Sequence, residues 1–293
     1  MRIAVVGPGA IGATYAAAAE EAGHEVLPCG RRAAPAPVVE KPDGSEHALA
    51  SAVIADPAAV DGPVPWVLLA VKAHQTAGAA RWLDELCGPD TTVAVLQNGV
   101  EHRALVGPLA GAATVLPTVV WCPSEMVAPG RVRQRGEAAL SVPDEPAGAA
   151  LAALFEGGSG RVDVIEDFTT EMWRKLTSNA IAGLLAVTRR RIEVFGADGM
   201  RDVALALSRE CVAVGRAEGA RFADDDAERI LDRLAAMAPD MGTSILFDRL
   251  AGRPMEWDAR NGVVRRLGAR HAVATPVSDV LVPLLAALDD APA

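Results

Sequence analysis

The sequence predicts an α/β Rossmann-type N-terminal domain with a parallel sheet, followed by an all-helical C-terminal domain. Three observations lead there. Short apolar runs without polar alternation recur through the first half, as in strands covered on both faces by helices. A glycine-rich turn directly follows the first run and opens a helical pattern. From Asp167 onward strand signals fade and one amphipathic helical pattern follows another. A chain of 293 residues, 51% of them hydrophobic, can bury a core in each of two domains, placed at 1–166 and 167–293.

Taken in order, "RIAVVG" (2–7) reads as a buried strand and "ATYAAAAEEAG" (13–23) as an alanine-rich helix closed by Gly23. Further strands are expected at 25–30, 66–71, 91–96 and 113–120. Pro28 and Pro117 count against two of them, because proline sits poorly in a central strand. Residues 131–142 suggest an added antiparallel hairpin, and "FEGGSG" (155–160) a flexible loop. Helices are expected over 168–187, 198–219, 224–237, 243–251, 255–270 and 276–289. The last of these starts with Thr275 as a capping hydroxyl and Pro276 in the first turn. No internal repeat is present.

The net charge of -10 argues against a nucleic-acid-binding surface, but says little about small anionic substrates. Cys29, Cys87, Cys122 and Cys211 are scattered, without a C-x-x-C pair or a nearby histidine at ligand spacing. They read as buried thiols in a reducing compartment, and no metal is expected. The N-terminus reads as a strand and glycine loop rather than a signal peptide, and no apolar run reaches membrane-spanning length. A cytoplasmic protein without membrane partners is the expectation.

"GPGAIG" places Gly7, Pro8, Gly9, Ala10, Ile11 and Gly12 in G-x-G-x-x-G spacing. In a dinucleotide site the first glycine makes the tight turn and the second lets the backbone approach a pyrophosphate. The third lets the helix pack on the strand, with its N-terminus toward the phosphates. At the end of the second strand, "CGRR" stands where an acidic residue would grip a ribose 2′-hydroxyl. Arg31 suits a 2′-phosphate, which favours NADP over NAD. Lys72 in "AVKAHQT" and Asn98 in "LQNGV" follow other strands, where ligands of such sheets bind. Alone, Lys72 is equally a solvated lysine and Asn98-Gly99 equally an ordinary turn, but together at neighbouring strand ends they favour a lined cofactor crevice.

In the second half, Lys175 and Asn179 lie one helical turn apart and share a face. A lysine so placed can bond a substrate ketone and supply a proton as hydride arrives, or can simply reach solvent. Ser244 and Asp248 share a face in the same way, and Glu256 follows "GRP" near a helix start.

These blocks together resemble the ketopantoate reductase (2-dehydropantoate 2-reductase) family over nearly the whole chain. The resemblance rests on "GPGAIG", the arginine after the second strand, "VKAHQT", "QNG", "EMWRKLTSNA" and "SILFDRLAGRPMEWDARNG". It implies NADPH-dependent reduction of a 2-oxo acid, ketopantoate first among them. By the same resemblance Lys175 is the proton donor, and Asn179 and Ser244 bind substrate. Glu256 serves cofactor and substrate hydroxyls, and Arg31, Lys72, Asn98 and Cys122 join the glycine loop as cofactor contacts. Helical second domains often dimerise, so a homodimer is one expectation.

Two positions depart from the family pattern. Gly183 stands where members often carry a second substrate-binding asparagine, which would remove a hydrogen-bond partner and open the pocket. Arg189, Arg190 and Arg191 form an unusually basic run, either a solvated face or a site for a further acidic group. Reduction of a different 2-oxo acid is the resulting alternative. A β-hydroxyacid dehydrogenase-like enzyme and a non-catalytic NADP-binding sensor are the other rivals. The first lacks its glycine-rich lead-in here, and the second leaves Lys175, Asn179, Ser244 and Glu256 unexplained.

Overall fold

The computed structural model describes residues 1–289. The chain forms two compact units: Met1–Gln97 with Glu101–Phe168, and Asn98–Val100 with the chain from Thr169 onward.

The first unit runs β1 (Arg2–Val6), α1 (Ala10–Glu21), β2 (Glu25–Cys29), β3 (Val38–Glu40), β4 (Glu46–Ala48), β5 (Trp66–Leu69), α2 (Ala80–Leu86) and β6 (Thr92–Val95). It continues α3 (His102–Ala110), β7 (Thr114–Pro117), β8 (Val119–Trp121), β9 (Ser124–Ala128), β10 (Arg131–Gln134), β11 (Ala138–Pro143), α4 (Pro146–Leu154) and β12 (Gly160–Ile165). Its main sheet is wholly parallel, in the order β2-β1-β5-β6-β7. The apolar runs have their reason in burial on both faces. Ile3 and Val5 pack with the α1 alanines, while Ala4 and Val6 pack with Val67, Val93 and, from α2, Trp82 and Leu83.

Both doubtful strands form, because both are edges. The carbonyl of Pro28 accepts from the amide of Ile54 (2.8 Å), so its polar side points away from β1 and its missing N–H costs the β1 ladder nothing. Pro117 closes β7, and the next residue's hydroxyl, Thr118 Oγ1, donates to Val95 O at 2.8 Å.

The hairpin expected at 131–142 is not there. β10 pairs antiparallel with β9 and parallel with β3, in a sheet ordered β4-β3-β10-β9. β11 belongs to a third sheet, ordered β12-β11-β8. The tight turn lies earlier, at Pro129-Gly130, where Gly130 takes φ +72°. This layering also explains the alanine-rich α1. Residues Ala13 and Ala16–Ala19 are fully buried among side chains of the main sheet, Val39 and Val132 of the second sheet, and Leu140 of the third. A helix buried on all sides is apolar all round, and methyl groups are what such close packing admits.

The second unit consists of α5 (Phe168–Ile181), α6 (Gly183–Thr188), α7 (Met200–Ala217), α8 (Asp226–Ala235), α9 (Ser244–Leu250), α10 (Val263–Arg270) and α11 (Pro276–Asp289), around one apolar core. Three details differ from expectation. The helix expected over 168–187 breaks at Ala182, between α5 and α6. The helix expected over 255–270 contains a wide π-turn, Asp258–Gly262, ahead of α10. The first amides of α11 are met by Glu210 of α7, not by Thr275. The carboxylate of Glu210 accepts from the amides of Val277 and Ser278 and from Ser278 Oγ (2.7 Å). No described helix is long and apolar enough to cross a membrane.

Candidate functional site

Each unit carries its own constellation. In the first, the carboxyl end of β1 passes into the glycine turn, where the three glycines have three different reasons. Gly7 takes φ +93°, and a Cβ there would lie 2.7 Å from Val71 N. A Cβ on Gly12 would lie 2.2 Å from Gly7 O, so α1 can start this close to the turn only with glycine at that place. A Cβ on Gly9 would meet nothing within 4 Å. Internal packing therefore does not require glycine at position 9, whereas a ligand lying against the backbone there would. Gly9 is also the N-cap of α1 and no side chain caps the helix, which leaves its first turn to an anion. The loop fits a dinucleotide pyrophosphate on these grounds.

The neighbouring strand ends are tied together. Gln97, just past β6, donates from Nε2 to Val71 O (3.0 Å) and to Thr76 Oγ1 (3.0 Å). This stitches the segment after β5 to the one after β6 and holds the half-buried Lys72 at its start. Arg31 is exposed beyond β2. The residue before it, Gly30, is fixed by the hydrogen bond its N–H donates to Ile54 O (2.8 Å), and a Cβ there would strike Val53 Cγ1 at 2.8 Å. Cys122 follows β8, and its Sγ lies 3.1 Å from Ser124 Oγ, which in turn lies 3.1 Å from Thr14 Oγ1 on α1. Burial pushes the Cys29 thiol up to about 12, and burial with the nearby Asp84 charge pushes Cys87 to about 11, so neither is a nucleophile at neutral pH. Among the described residues no group of three or more His, Cys, Asp or Glu could hold a metal.

In the second unit, α5 presents Lys175 and Asn179 one turn apart, both half-buried. Asn179 Nδ2 donates to Asn98 Oδ1 at 3.1 Å, and Asn98 Nδ2 donates to Glu256 Oε2 at 3.0 Å. That same oxygen lies 3.4 Å from Arg260 Nη2, and Arg260 Nη2 donates to Ser244 Oγ at 3.0 Å. Three of the expected substrate and cofactor residues, Asn179, Asn98 and Ser244, thus meet around Glu256 in one connected chain. Asp248, which shares a face with Ser244, is engaged elsewhere, with Arg253 Nε at 2.9 Å.

Arg260 was not singled out from the sequence, although its spacing from Glu256 is that of a helical ion pair. Both residues are almost wholly buried, Glu256 at 4% and Arg260 at 1% exposure. Gly262 closes the π-turn that carries Arg260, and a Cβ there would fall 2.2 Å from Oδ1 of Asp258, an exposed side chain that would have to turn aside.

Gly183 does not open a space. Its Cβ position lies 2.9 Å from Oδ1 and 3.1 Å from Nδ2 of Asn261, so that carboxamide fills the volume a side chain would occupy. Asn261 Nδ2 donates to Ala180 O at 2.9 Å, inserting a side chain where the helical ladder lapses between α5 and α6. The basic run lies apart from this cluster in its bonding. Arg189, Arg190 and Arg191 are exposed, with Arg190 Nε 3.4 Å from Glu193 and Arg191 Nη1 donating to Asp240 O at 2.6 Å.

Residues 3–146 match the family model described as "Ketopantoate reductase PanE/ApbA", and residues 167–289 match "Ketopantoate reductase PanE/ApbA C terminal". The chain is 47% identical over 291 residues to the 2-dehydropantoate 2-reductase of Mycobacterium tuberculosis (strain ATCC 25618 / H37Rv), covering 99% of this chain and 98% of that one. It is 44% identical over 285 residues to the 2-dehydropantoate 2-reductase of Caulobacter vibrioides, covering 97% of each. A solved PanE/ApbA family ketopantoate reductase from Ralstonia eutropha JMP134 superposes with a TM-score of 0.89 at 30% identity, over 99% of both chains.

Proposed function

We propose, from the premise that this chain belongs to the ketopantoate reductase family, that it reduces 2-dehydropantoate to pantoate with NADPH. It is an oxidoreductase acting on a CH–OH group. The observation that best supports the substrate roles is the hydrogen-bonded chain Asn179–Asn98–Glu256–Arg260–Ser244, attached to the helix that carries Lys175.

When bound, a nicotinamide dinucleotide supplies the hydride for the ketone carbon. The residues of this chain do the rest. The backbone at Gly9 and the uncapped start of α1 take the pyrophosphate. Arg31 takes the 2′-phosphate, and Lys72, Asn98 and Cys122 complete the cofactor contacts. Lys175 bonds the ketone oxygen as an ammonium and transfers a proton to it as negative charge develops there, so the product leaves as an alcohol. Asn179 and Ser244 hold the substrate, and Glu256 orients a hydroxyl. Residues 1–166 serve as the cofactor domain and 167–293 as the catalytic one. Of the case for a different oxo acid drawn from Gly183, the opened space is filled by Asn261, and what remains is the hydrogen-bond partner that a side chain at 183 would have supplied.

NADPH oxidation with 2-dehydropantoate, followed by a panel of other 2-oxo acids, tests the reading. The expected result is a preference for 2-dehydropantoate. Lys175→Ala is expected to lower kcat by about 10²–10⁴ while leaving the NADPH Kd unchanged. A preference for another oxo acid would overturn the substrate assignment, and an unchanged kcat would remove Lys175 from its role.

A further inference from the structure

We propose that Arg260 is a positioning residue that turns the Ser244 hydroxyl proton toward the carboxylate of the bound oxo acid, with Glu256 holding the guanidinium in place. The inference rests on the functional reading above, and concerns how the cluster is wired rather than which residues meet substrate.

The wiring follows from what each group can do. A guanidinium has donors only, so the bond between Arg260 Nη2 and Ser244 Oγ (3.0 Å) must use a lone pair of the serine oxygen. The serine proton is therefore directed elsewhere. Ser244 is an exposed residue at the first position of α9, so its O–H remains open to a ligand. A hydroxyl whose oxygen is held by a cation is a better donor, and its favoured acceptor is an anion. The permanent anion of a 2-oxo acid is its carboxylate.

The same logic runs in the opposite direction from Glu256. An ionised carboxylate only accepts, so Asn98 must present its NH2 to Oε2 (3.0 Å) and its Oδ1 to Asn179 Nδ2 (3.1 Å). The amide orientations of both asparagines are thereby set, and Asn179 is left with its carbonyl oxygen as its acceptor. One end of the chain finishes in a donor, Ser244 O–H, and the other in an acceptor, Asn179 C=O. A carboxylate at the first and the alcohol of the product at the second complement that polarity.

Stability alone does not account for Arg260. It is 1% exposed, its link to Glu256 is long at 3.4 Å, and its Nε is buried without a hydrogen-bond partner among the described residues. A buried ion pair at such a distance is commonly matched or bettered by apolar side chains. Its specific contribution is direction.

A double-mutant cycle on the full-length enzyme tests this. The readout is the ratio of kcat/KM for the 2-oxo acid to kcat/KM for the corresponding 2-oxo amide, which lacks the anionic carboxylate. Arg260→Met and Ser244→Ala are each expected to lower that ratio by about tenfold or more, with NADPH affinity unchanged. The double variant is expected to fall no further than Ser244→Ala alone. Effects that multiply, or a ratio unmoved by Arg260→Met, would overturn the proposal. If Arg260→Met does not fold, Arg260→Lys takes its place with the same two outcomes, since it keeps the charge beside Glu256 but not the fork that reaches Ser244. A wild-type enzyme that reduces no 2-oxo acid would instead overturn the functional reading. Wild-type turnover with multiplying effects would overturn this inference alone.

Discussion

Gly183→Ala isolates one packing claim and puts a sign on it. In an open helix the change would be stabilising by about 1 kcal/mol through helix propensity. Here the new methyl would arrive 2.9 Å from Asn261 Oδ1, 3.1 Å from Nδ2 and 3.3 Å from Cγ, so the whole planar amide must retreat by several tenths of an ångström. Asn261 is fully buried and is held by its bond to Ala180 O at 2.9 Å. Its Oδ1 has no hydrogen-bond partner among the described residues, so losing the Nδ2 bond would strand the amide completely. A stranded buried amide costs about 1–3 kcal/mol, and the overpacking adds a similar amount. Net of the propensity gain, the expected loss is about 1–5 kcal/mol, or a Tm about 3–15 °C lower. Differential scanning calorimetry of the cofactor-free protein reads it directly. An unchanged or higher Tm would refute the claim that Asn261 fills the glycine's volume. Asn261→Ala supplies the control. On that background Gly183→Ala should cost far less, and the difference is the coupling between the two positions.

Other tests address the remaining parts. Gly9→Ala should leave the Tm of the cofactor-free protein within about 1 °C, since its Cβ meets nothing within 4 Å, yet raise the NADPH Kd by about tenfold or more in a fluorescence titration. Gly12→Ala should damage both, because its Cβ would sit 2.2 Å from Gly7 O; a normal Tm would contradict the reason given for that glycine. Arg31→Ala is expected to lower the preference for NADPH over NADH by about tenfold, read as a ratio of kcat/KM values, and an unmoved ratio would remove Arg31 from cofactor choice. Glu210→Ala deprives two amides of α11 and one buried hydroxyl of their acceptor, an expected loss of about 2–4 kcal/mol in urea unfolding. A loss under about 1 kcal/mol would show that water or Thr275 replaces the cap.

Much of the architecture was legible because local pattern and burial agree. Strands such as Val67–Leu69 are apolar throughout because both faces are covered, and the glycine turn identifies itself by spacing. What escaped was non-local. Whether Arg131–Gln134 pairs with Ala138–Pro143 or with Ser124–Ala128 depends on which sheet each joins, and periodicity is silent on that. Pro28 and Pro117 count against strands that do form for the same reason, since a strand's place at an edge is a property of the sheet. In the candidate site, Lys175, Asn179, Ser244 and Glu256 were named largely through the family's motifs. Arg260 could have been found from its spacing to Glu256, but its bond to Ser244 joins residues on different elements. Gly183 was read as a gap because its neighbour in space, Asn261, is far away in the chain.

The wide turn at Asp258–Gly262 can also be viewed as a matter of chain length. A π-turn spends one residue more than an α-turn, and each residue of an α-helix advances the azimuth by about 100°. The surplus lets Arg260, Asn261, Gly262, Val263 and Val264 all be buried in succession, which a uniform amphipathic helix would not permit. Deleting one residue from this stretch would leave a more regular helix and turn part of that run toward water. The helix would be repaired, and the guanidinium beside Ser244 and the amide beside Gly183 could no longer both be kept.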